Sequence, residues 1–216
     1  MKEPFVQDNY YHIFNRGNNR QPLFLCAEDY VHFLNLYAIY AHPVLETFSW
    51  CLMKNHYHFC IRIKSSSELG CFDKRNRLEK DAGIKWQLFP KQDIPLQYQI
   101  NPNPARMLNF MFDAYAKHFN FRYSATGAVF ERGIKRRHID SKNYLTEAII
   151  YIHNNPVKHK ITEIPEAYHW SSYHEIIHGN SRFCSMQSIM NIFGDRENFI
   201  ATHKDRYGNG SEWGDC

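Results

Sequence analysis

The stretch LETFSWCLMKNHYHFCIRIK, residues 45–64, contains two runs of aromatic and β-branched residues separated by Lys54-Asn55. Such side chains favour strands, and a two-residue connection is typical of a hairpin. The stretch therefore predicts antiparallel strands at residues 45–53 and 57–64. At the start of the second strand, His56 and His58 are two residues apart, so both imidazoles project from one face while Tyr57 projects from the other.

Strands and helices are also predicted on both sides of this hairpin. A strand at residues 10–14 and a helix at 27–41 precede it, and a helix at 104–123 and a strand or hairpin at 127–139 follow. Ser141 caps a further helix that runs to about Asn154, with Pro156 just past its end, and residues 185–193 form another. This order predicts an α+β fold with a ferredoxin- or RRM-like antiparallel sheet, helices on one face and the other face free for nucleic acid.

Residues 65–101 interrupt this pattern, because they are rich in serine, charge and proline and carry no clear periodicity. A segment of this length inside a domain indicates an insertion. We therefore expect a main domain over residues 1–173, with the insertion at about 65–101, and a helical C-terminal extension over 174–216.

Composition narrows the class of protein. Of the 216 residues, 44% are hydrophobic and 22% are charged, which is typical of a folded globular protein. The six cysteines show no C-x-x-C spacing, so neither a zinc site nor a redox motif is predicted. The N-terminus leads into no apolar signal segment, and no run of about 18 apolar residues occurs, so a cytoplasmic location is expected.

Positive charge is concentrated in two places, although the net charge is only +4. Clusters of this kind can neutralise phosphates, or can protect a solvated strand edge. The residues predicted to contact the phosphates of a nucleic acid are Arg16, Arg20, Arg132, Lys135, Arg136 and Arg137.

Two pairs of residues have the chemistry of a catalytic site. His56 and His58 can together hold a divalent cation, or one can bind the cation while the other orients a phosphate. With 13 histidines in the chain, this spacing alone does not establish a site. Tyr151 and Asn155 lie four residues apart on a predicted helix, so a nucleophilic phenol and an amide ligand share one helical face.

Three segments together resemble the single-tyrosine transposases of the HUH endonuclease superfamily, and in particular the REP-associated tyrosine transposases. They are YYHIFNRGNNR at residues 10–20, MKNHYH at 53–58 and YIHNNPV at 151–157. FERG at 130–133 and WSSY at 170–173 are similar to the segments between and after the catalytic motifs of that branch. The resemblance extends over roughly residues 10–173.

The resemblance implies an HUH endonuclease fold and assigns roles to four residues. Tyr151 corresponds to the catalytic tyrosine, and His56 and His58 correspond to the ligands of Mg2+ or Mn2+. Asn155 would complete the metal site, where related insertion-sequence transposases usually have Gln. The implied activity is cleavage and rejoining of single-stranded DNA near hairpins through a 5′-phosphotyrosine intermediate, by a monomer or a homodimer.

Several alternatives remain open at the level of sequence. Tyr115 and Tyr144 are rival nucleophiles, although Tyr115 lies on an apolar helix face and Tyr144 lacks the following Asn-Pro context. His153 is a rival of Asn155, but two residues from Tyr151 it should point elsewhere. One alternative function is a non-catalytic RRM-like protein that binds single-stranded nucleic acid. Another is a phosphoesterase with a water nucleophile, which would tolerate Tyr151→Phe.

Overall fold

The computed structural model describes residues 4–206, with residues 82 and 83 described by their backbone only. The strands are β1 (Tyr10–Arg16), β2 (Leu45–Met53), β3 (His56–Ile63), β4 (Phe72–Asp73), β5 (Gln99–Ile100) and β6 (Lys135–Ile139). The helices are α1 (Ala27–Leu36), α2 (Ala82–Lys85), α3 (Pro104–Arg122), α4 (Lys142–Lys158), α5 (Ser172–Ile177), α6 (Met186–Phe193) and α7 (Arg196–Asp205). A π-helical turn, Tyr37–Ala41, continues α1.

Four strands form the main sheet in the order β2-β3-β1-β6, and each neighbouring pair is antiparallel. Met53 pairs with His56, so Lys54 and Asn55 form the predicted two-residue turn. The predicted α+β class and antiparallel sheet are therefore confirmed.

One face of the sheet packs against α1, its π-helical turn and α3. On this face Tyr57 stacks on Phe112 with ring centroids 5.2 Å apart, and Phe59 stacks on Tyr37 at 4.5 Å. Buried aromatic side chains remove a large apolar area from water and therefore contribute strongly to the stability of the core. Since side chains alternate along a strand, His56 and His58 project from the opposite face.

In one respect the structure corrects the predicted arrangement, because the helices do not all lie on one face. Helix α4 packs against β2 and β3 on the face that carries the two histidines. The part of this face along the edge strand β6 stays open, since Arg137 is exposed there. Nucleic acid would therefore have access to a strip of this face and not to its whole width.

Helix α4 also differs from its predicted length, because it continues through Pro156 to Lys158. The prediction that Pro156 lies beyond the end of this helix is wrong. A proline removes one backbone donor, and in the last turn of a helix this costs a single hydrogen bond. The carbonyl of Asn155 still accepts from the N–H of His159, so the helix closes normally after the proline.

The insertion is folded against the domain. Strands β4 and β5 pair with each other, and Leu69, Cys71 and Ile94 are buried. Trp86 contacts Phe110 on α3 with ring centroids 4.7 Å apart, and it also contacts Tyr40 at 5.6 Å. These aromatic contacts attach the insertion to the α3 side of the sheet, away from the histidine face.

Helices α6 and α7 pack against α4, and α5 packs against β2. Cys216 and the rest of residues 207–216 lie outside the described residues. The boundary at residue 173 stays a prediction. Among residues 4–206, none of the helices combines the length and apolar character that crossing a membrane requires.

A buried chain of hydrogen bonds joins α4 to α5 and α7. The Nδ1–H of His203 donates to the Phe199 carbonyl, so its Nε2 accepts from the Nδ1–H of His153 at 2.9 Å. His153 Nε2 then accepts from the Ser172 hydroxyl at 2.8 Å, and Ser172 Oγ accepts from the Trp50 N–H. Each histidine serves once as donor and once as acceptor only in its neutral form.

These buried hydrogen bonds predict that the protein loses stability in mild acid. Burial lowers the pKa of His203 from 6.5 to about 4. Between these two values the unfolded state binds more protons than the folded state. The stability contributed by neutral His203 is therefore complete above about pH 6.5 and is lost as the pH falls towards 4. At about 1.4 kcal/mol per pKa unit, protonation of His203 is expected to lower the free energy of unfolding by about 3 kcal/mol once the pH falls below 4.

Chemical denaturation of wild type and His203→Gln between pH 4.5 and 7 checks this prediction. We expect the variant to be less stable at pH 7, with a pH slope lower by up to about 1.4 kcal/mol per unit. Equal slopes for the two proteins would contradict it.

Candidate active site

The candidate site lies where the start of β3 faces the second half of α4. His58 is fully buried and His56 nearly so, and their ring centroids are 5.1 Å apart. The ring of Tyr151 meets His58 edge-on at 5.8 Å between centroids. The structure therefore brings together the histidine pair and the tyrosine, which are more than 90 residues apart in sequence.

Hydrogen bonding determines which nitrogen of His56 carries the proton. Asn55 donates from Nδ2 to the Arg20 carbonyl at 3.4 Å, which places its Oδ1 towards His56. His56 Nδ1 therefore donates to Asn55 Oδ1 at 2.8 Å. The lone pair of neutral His56 then resides on Nε2, the nitrogen available to a cation.

Burial keeps both histidines uncharged, as metal ligands must be. It lowers the pKa of His56 to about 4, with nearby His159 acting in the same direction. Asn155 lies against His56 and opposes part of this decrease. Burial also holds the pKa of His58 well below 6.5, and the neighbouring His12 lowers it further.

Asn155 lies against His56 and could present an oxygen atom to the same site. It is buried on α4, and its Nδ2 donates to the Tyr151 carbonyl at 3.0 Å, which leaves Oδ1 as the atom available to a ligand. Asn155 Oδ1 and His58 Nε2 are two of the ten buried side-chain atoms in the described residues that have no hydrogen-bond partner. Buried polar atoms normally have a partner, so two such atoms at one site fit the binding of a cation there.

The set of donors also indicates which cation to test first. Residues 4–206 contain no group of three or more His, Cys, Asp or Glu side chains placed to hold a metal. A site here would consist of the Nε2 atoms of His56 and His58 and the Oδ1 atom of Asn155. Since Mg2+ prefers oxygen ligands, two imidazoles favour Mn2+ of the two expected ions.

The rival residues have other environments. Tyr115 is buried among the aromatic rings on the α1 and α3 side and donates to the Leu23 carbonyl. Tyr144 lies seven residues before Tyr151, about 10 Å along the helix. Both ring nitrogens of His153 are engaged by His203 and Ser172. None of the three is placed as Tyr151 is.

Three residues of the site were not singled out from the sequence. His12 on β1 forms a 2.8 Å hydrogen bond with His58, and its ring meets Tyr151 at 5.8 Å. The Nζ atom of Lys158 lies 5.5 Å from the centroid of the Tyr151 ring. His159 follows α4, with its ring 5.2 Å from that of His56. Lys158 could have been predicted from the sequence only because it lies seven residues after Tyr151, on the same helical face. The proximity of His12 to the site becomes visible only when the pairing of the strands is known.

The predicted DNA-contacting residues on β6 are divided between the two faces of the sheet. Directly paired residues project to the same face. Lys135 pairs with Phe14 and Arg137 pairs with His12, so both lie on the histidine face. Arg136 projects from the opposite face, where its guanidinium lies 4.4 Å from the ring centroid of Phe5.

The other predicted DNA-contacting residues surround an open cavity of about 620 Å³ next to the site. Arg16 and Lys135 both form ion pairs with Glu131, which offsets part of their charge. Gly17 is required in the loop, since an added Cβ would lie 2.0 Å from the Gln21 carbonyl oxygen. The cavity is lined by Arg16, Asn18, Asn19, Arg20, Glu131 and Arg132.

No family model matches the sequence, and no curated protein does. The structure is similar to that of a REP-associated tyrosine transposase bound to a REP hairpin, with a TM-score of 0.51 and 12% sequence identity. The match covers 86% of this chain and 89% of that chain. At this identity the likeness shows the fold alone, and the four-stranded antiparallel sheet with its helices is consistent with the HUH endonuclease fold of that neighbour.

Proposed function

We propose that this protein is a DNA strand transferase of the tyrosine transposase kind, which cleaves and rejoins single-stranded DNA near hairpins. The observation that carries the proposal is the placement of the Tyr151 ring against His58, beside two buried ligand atoms without partners. The REP hairpin bound by the structural neighbour supports DNA as the partner.

The reaction is an in-line substitution at phosphorus. The phenol oxygen of Tyr151 forms the new P–O bond, and the bond from phosphorus to the 3′-oxygen breaks. The upstream strand leaves with a 3′-hydroxyl, and the downstream strand stays attached as a 5′-phosphotyrosine. A later 3′-hydroxyl reverses the step, so the phosphodiester can be re-formed without an external energy source.

The residues around Tyr151 support this substitution in two ways. The Lys158 ammonium stabilises negative charge that develops on the phenol. His56, His58 and Asn155 would hold Mn2+ or Mg2+, which when bound polarises the scissile phosphate and offsets its charge.

A covalent-capture assay tests the proposal. We would incubate the protein and Mn2+ with hairpin DNA that has single-stranded flanks, labelled at either end, and then denature the mixture. The 3′-labelled DNA should form a denaturant-resistant protein adduct, whereas the 5′-labelled DNA should give a free, shortened strand. Water attack would give shortened strands without an adduct, and a non-catalytic binding protein would give neither.

DNA binding should depend on the histidine face of β6. We expect Arg137→Gln to weaken binding of all sequences alike and to reduce the slope of log affinity against log salt by about 1. Arg136→Gln is the matched control, since Arg136 projects from the opposite face. Equal effects of the two substitutions on the salt slope would contradict this placement of DNA.

A further inference from the structure

His12 occupies the centre of the proposed site although it lies on another strand. Its side chain is only 2% exposed. The ring stacks on His58 with centroids 5.1 Å apart and on Phe14 at 4.8 Å. Because strand β1 pairs with β3 along its full length, the position of this ring is fixed by the core of the sheet.

The hydrogen bond between His12 and His58 constrains the protons of both rings. It joins His12 Nε2 to His58 Nδ1 at 2.8 Å, so one of these two atoms must carry the shared proton. If Nε2 of His12 carries it, neutral His58 has its own proton on Nε2 and has no lone pair there for a cation. If Nδ1 of His58 carries it, Nε2 of His58 is a ligand atom.

We propose that His12 is a positioning residue that accepts the Nδ1–H of His58 and thereby keeps the Nε2 lone pair of His58 directed at the cation site. The inference rests on the proposed function for the identity of that site. Asn55 acts on His56 in the same way, through an acceptor oxygen at Nδ1. Each histidine ligand thus has its own buried or partly buried partner, an arrangement that orients the ring and increases its basicity.

Substitutions at His12 separate this role from simple packing. His12→Gln keeps an acceptor oxygen close to the position of the imidazole Nε2. His12→Leu fills a similar volume without an acceptor, and His12→Asn carries an amide too short to reach His58. His12→Leu and His12→Asn both remove the hydrogen-bond acceptor for His58, so the experiment can still be carried out if one of them fails to fold.

The first readout is the tautomer of His58 in the metal-free protein, from ¹⁵N NMR of the ring nitrogens, with the signal assigned by its loss in His58→Gln. We expect an unprotonated Nε2 in wild type and His12→Gln. In His12→Leu and His12→Asn we expect the proton to move to Nε2, the form that a histidine without a partner prefers. A packing role would change the melting temperature without moving this proton.

The second readout is Mn2+ affinity by calorimetry. We expect the dissociation constant to rise about 10- to 100-fold in His12→Leu and His12→Asn, and to stay close to wild type in His12→Gln. A protonated Nε2 in wild-type His58 would overturn the inference. The inference would also be overturned if His12→Leu and His12→Asn kept the wild-type tautomer of His58 and the wild-type Mn2+ affinity. Absence of Mn2+ binding by the wild-type protein would overturn it as well. The expected tautomers and affinities without any DNA adduct from wild type would support the role of His12 and contradict the proposed function.

Discussion

Replacing Tyr151 by Phe is expected to abolish the covalent protein–DNA adduct, with a loss of at least about a thousandfold, because the hydroxyl is the attacking group. The fold should be retained, since the ring is only 5% exposed and Phe fills the same space against His12 and His58. DNA affinity should also be retained, because the predicted phosphate contacts lie on β1, β6 and the loops beside them.

Tyr144→Phe provides the matched control for this substitution. Tyr144 lies on the same helix, two turns before Tyr151, so the same hydroxyl is removed from the same element at a distance from the histidines. This variant should form the adduct at the wild-type rate. An adduct in Tyr151→Phe would place the nucleophile elsewhere. Equal strand cleavage by wild type and Tyr151→Phe, without an adduct from either, would favour the phosphoesterase alternative.

Local periodicity predicted which residues share a face in each half of the candidate site, whereas the family resemblance singled out those residues as a site. A strand repeats every two residues, so His56 and His58 had to share a face, and the two-residue turn defined where that strand begins. A helix repeats every 3.6 residues, so Tyr151 and Asn155 had to share an edge. Neither pattern says which face of the sheet the helix covers, and the expectation of a free face was corrected for that reason.

Long-range pairing determines the features that the sequence did not reveal. His12 meets His58 because β1 and β3 pair in one register, and a shift of one residue would turn its side chain to the other face. His153 points away from the site, as its spacing from Tyr151 predicted, but its hydrogen-bond partner His203, fifty residues later, could not be predicted. Glu131 pairs with Arg16 although 115 residues separate them. Contacts of this kind depend on tertiary packing, which a single sequence does not specify locally.

Simultaneous replacement of His56 and His58 by Gln is expected to remove Mn2+ binding and to slow strand cleavage by about a thousandfold or more. A metal ion contributes several kcal/mol of charge stabilisation in such reactions, and each 1.4 kcal/mol is a factor of ten in rate. Gln keeps a polar side chain in each buried position, so the fold should survive better than with Ala. Hairpin binding should change little, because the predicted phosphate contacts lie on β1, β6 and the loops beside them.

The matched control is His32→Gln, which removes a histidine that stacks on His118 between α1 and α3, on the other side of the sheet. Cleavage and adduct formation are measured after chelation and again after Mn2+ is restored. Wild type and His32→Gln should lose activity with the chelator and recover it with Mn2+, whereas the double variant should not recover. Full activity of wild type in the presence of the chelator would contradict the metal site. Because the histidines and the tyrosine are replaced separately, an adduct lost in both variants with DNA binding retained would assign His56, His58 and Tyr151 to one catalytic centre.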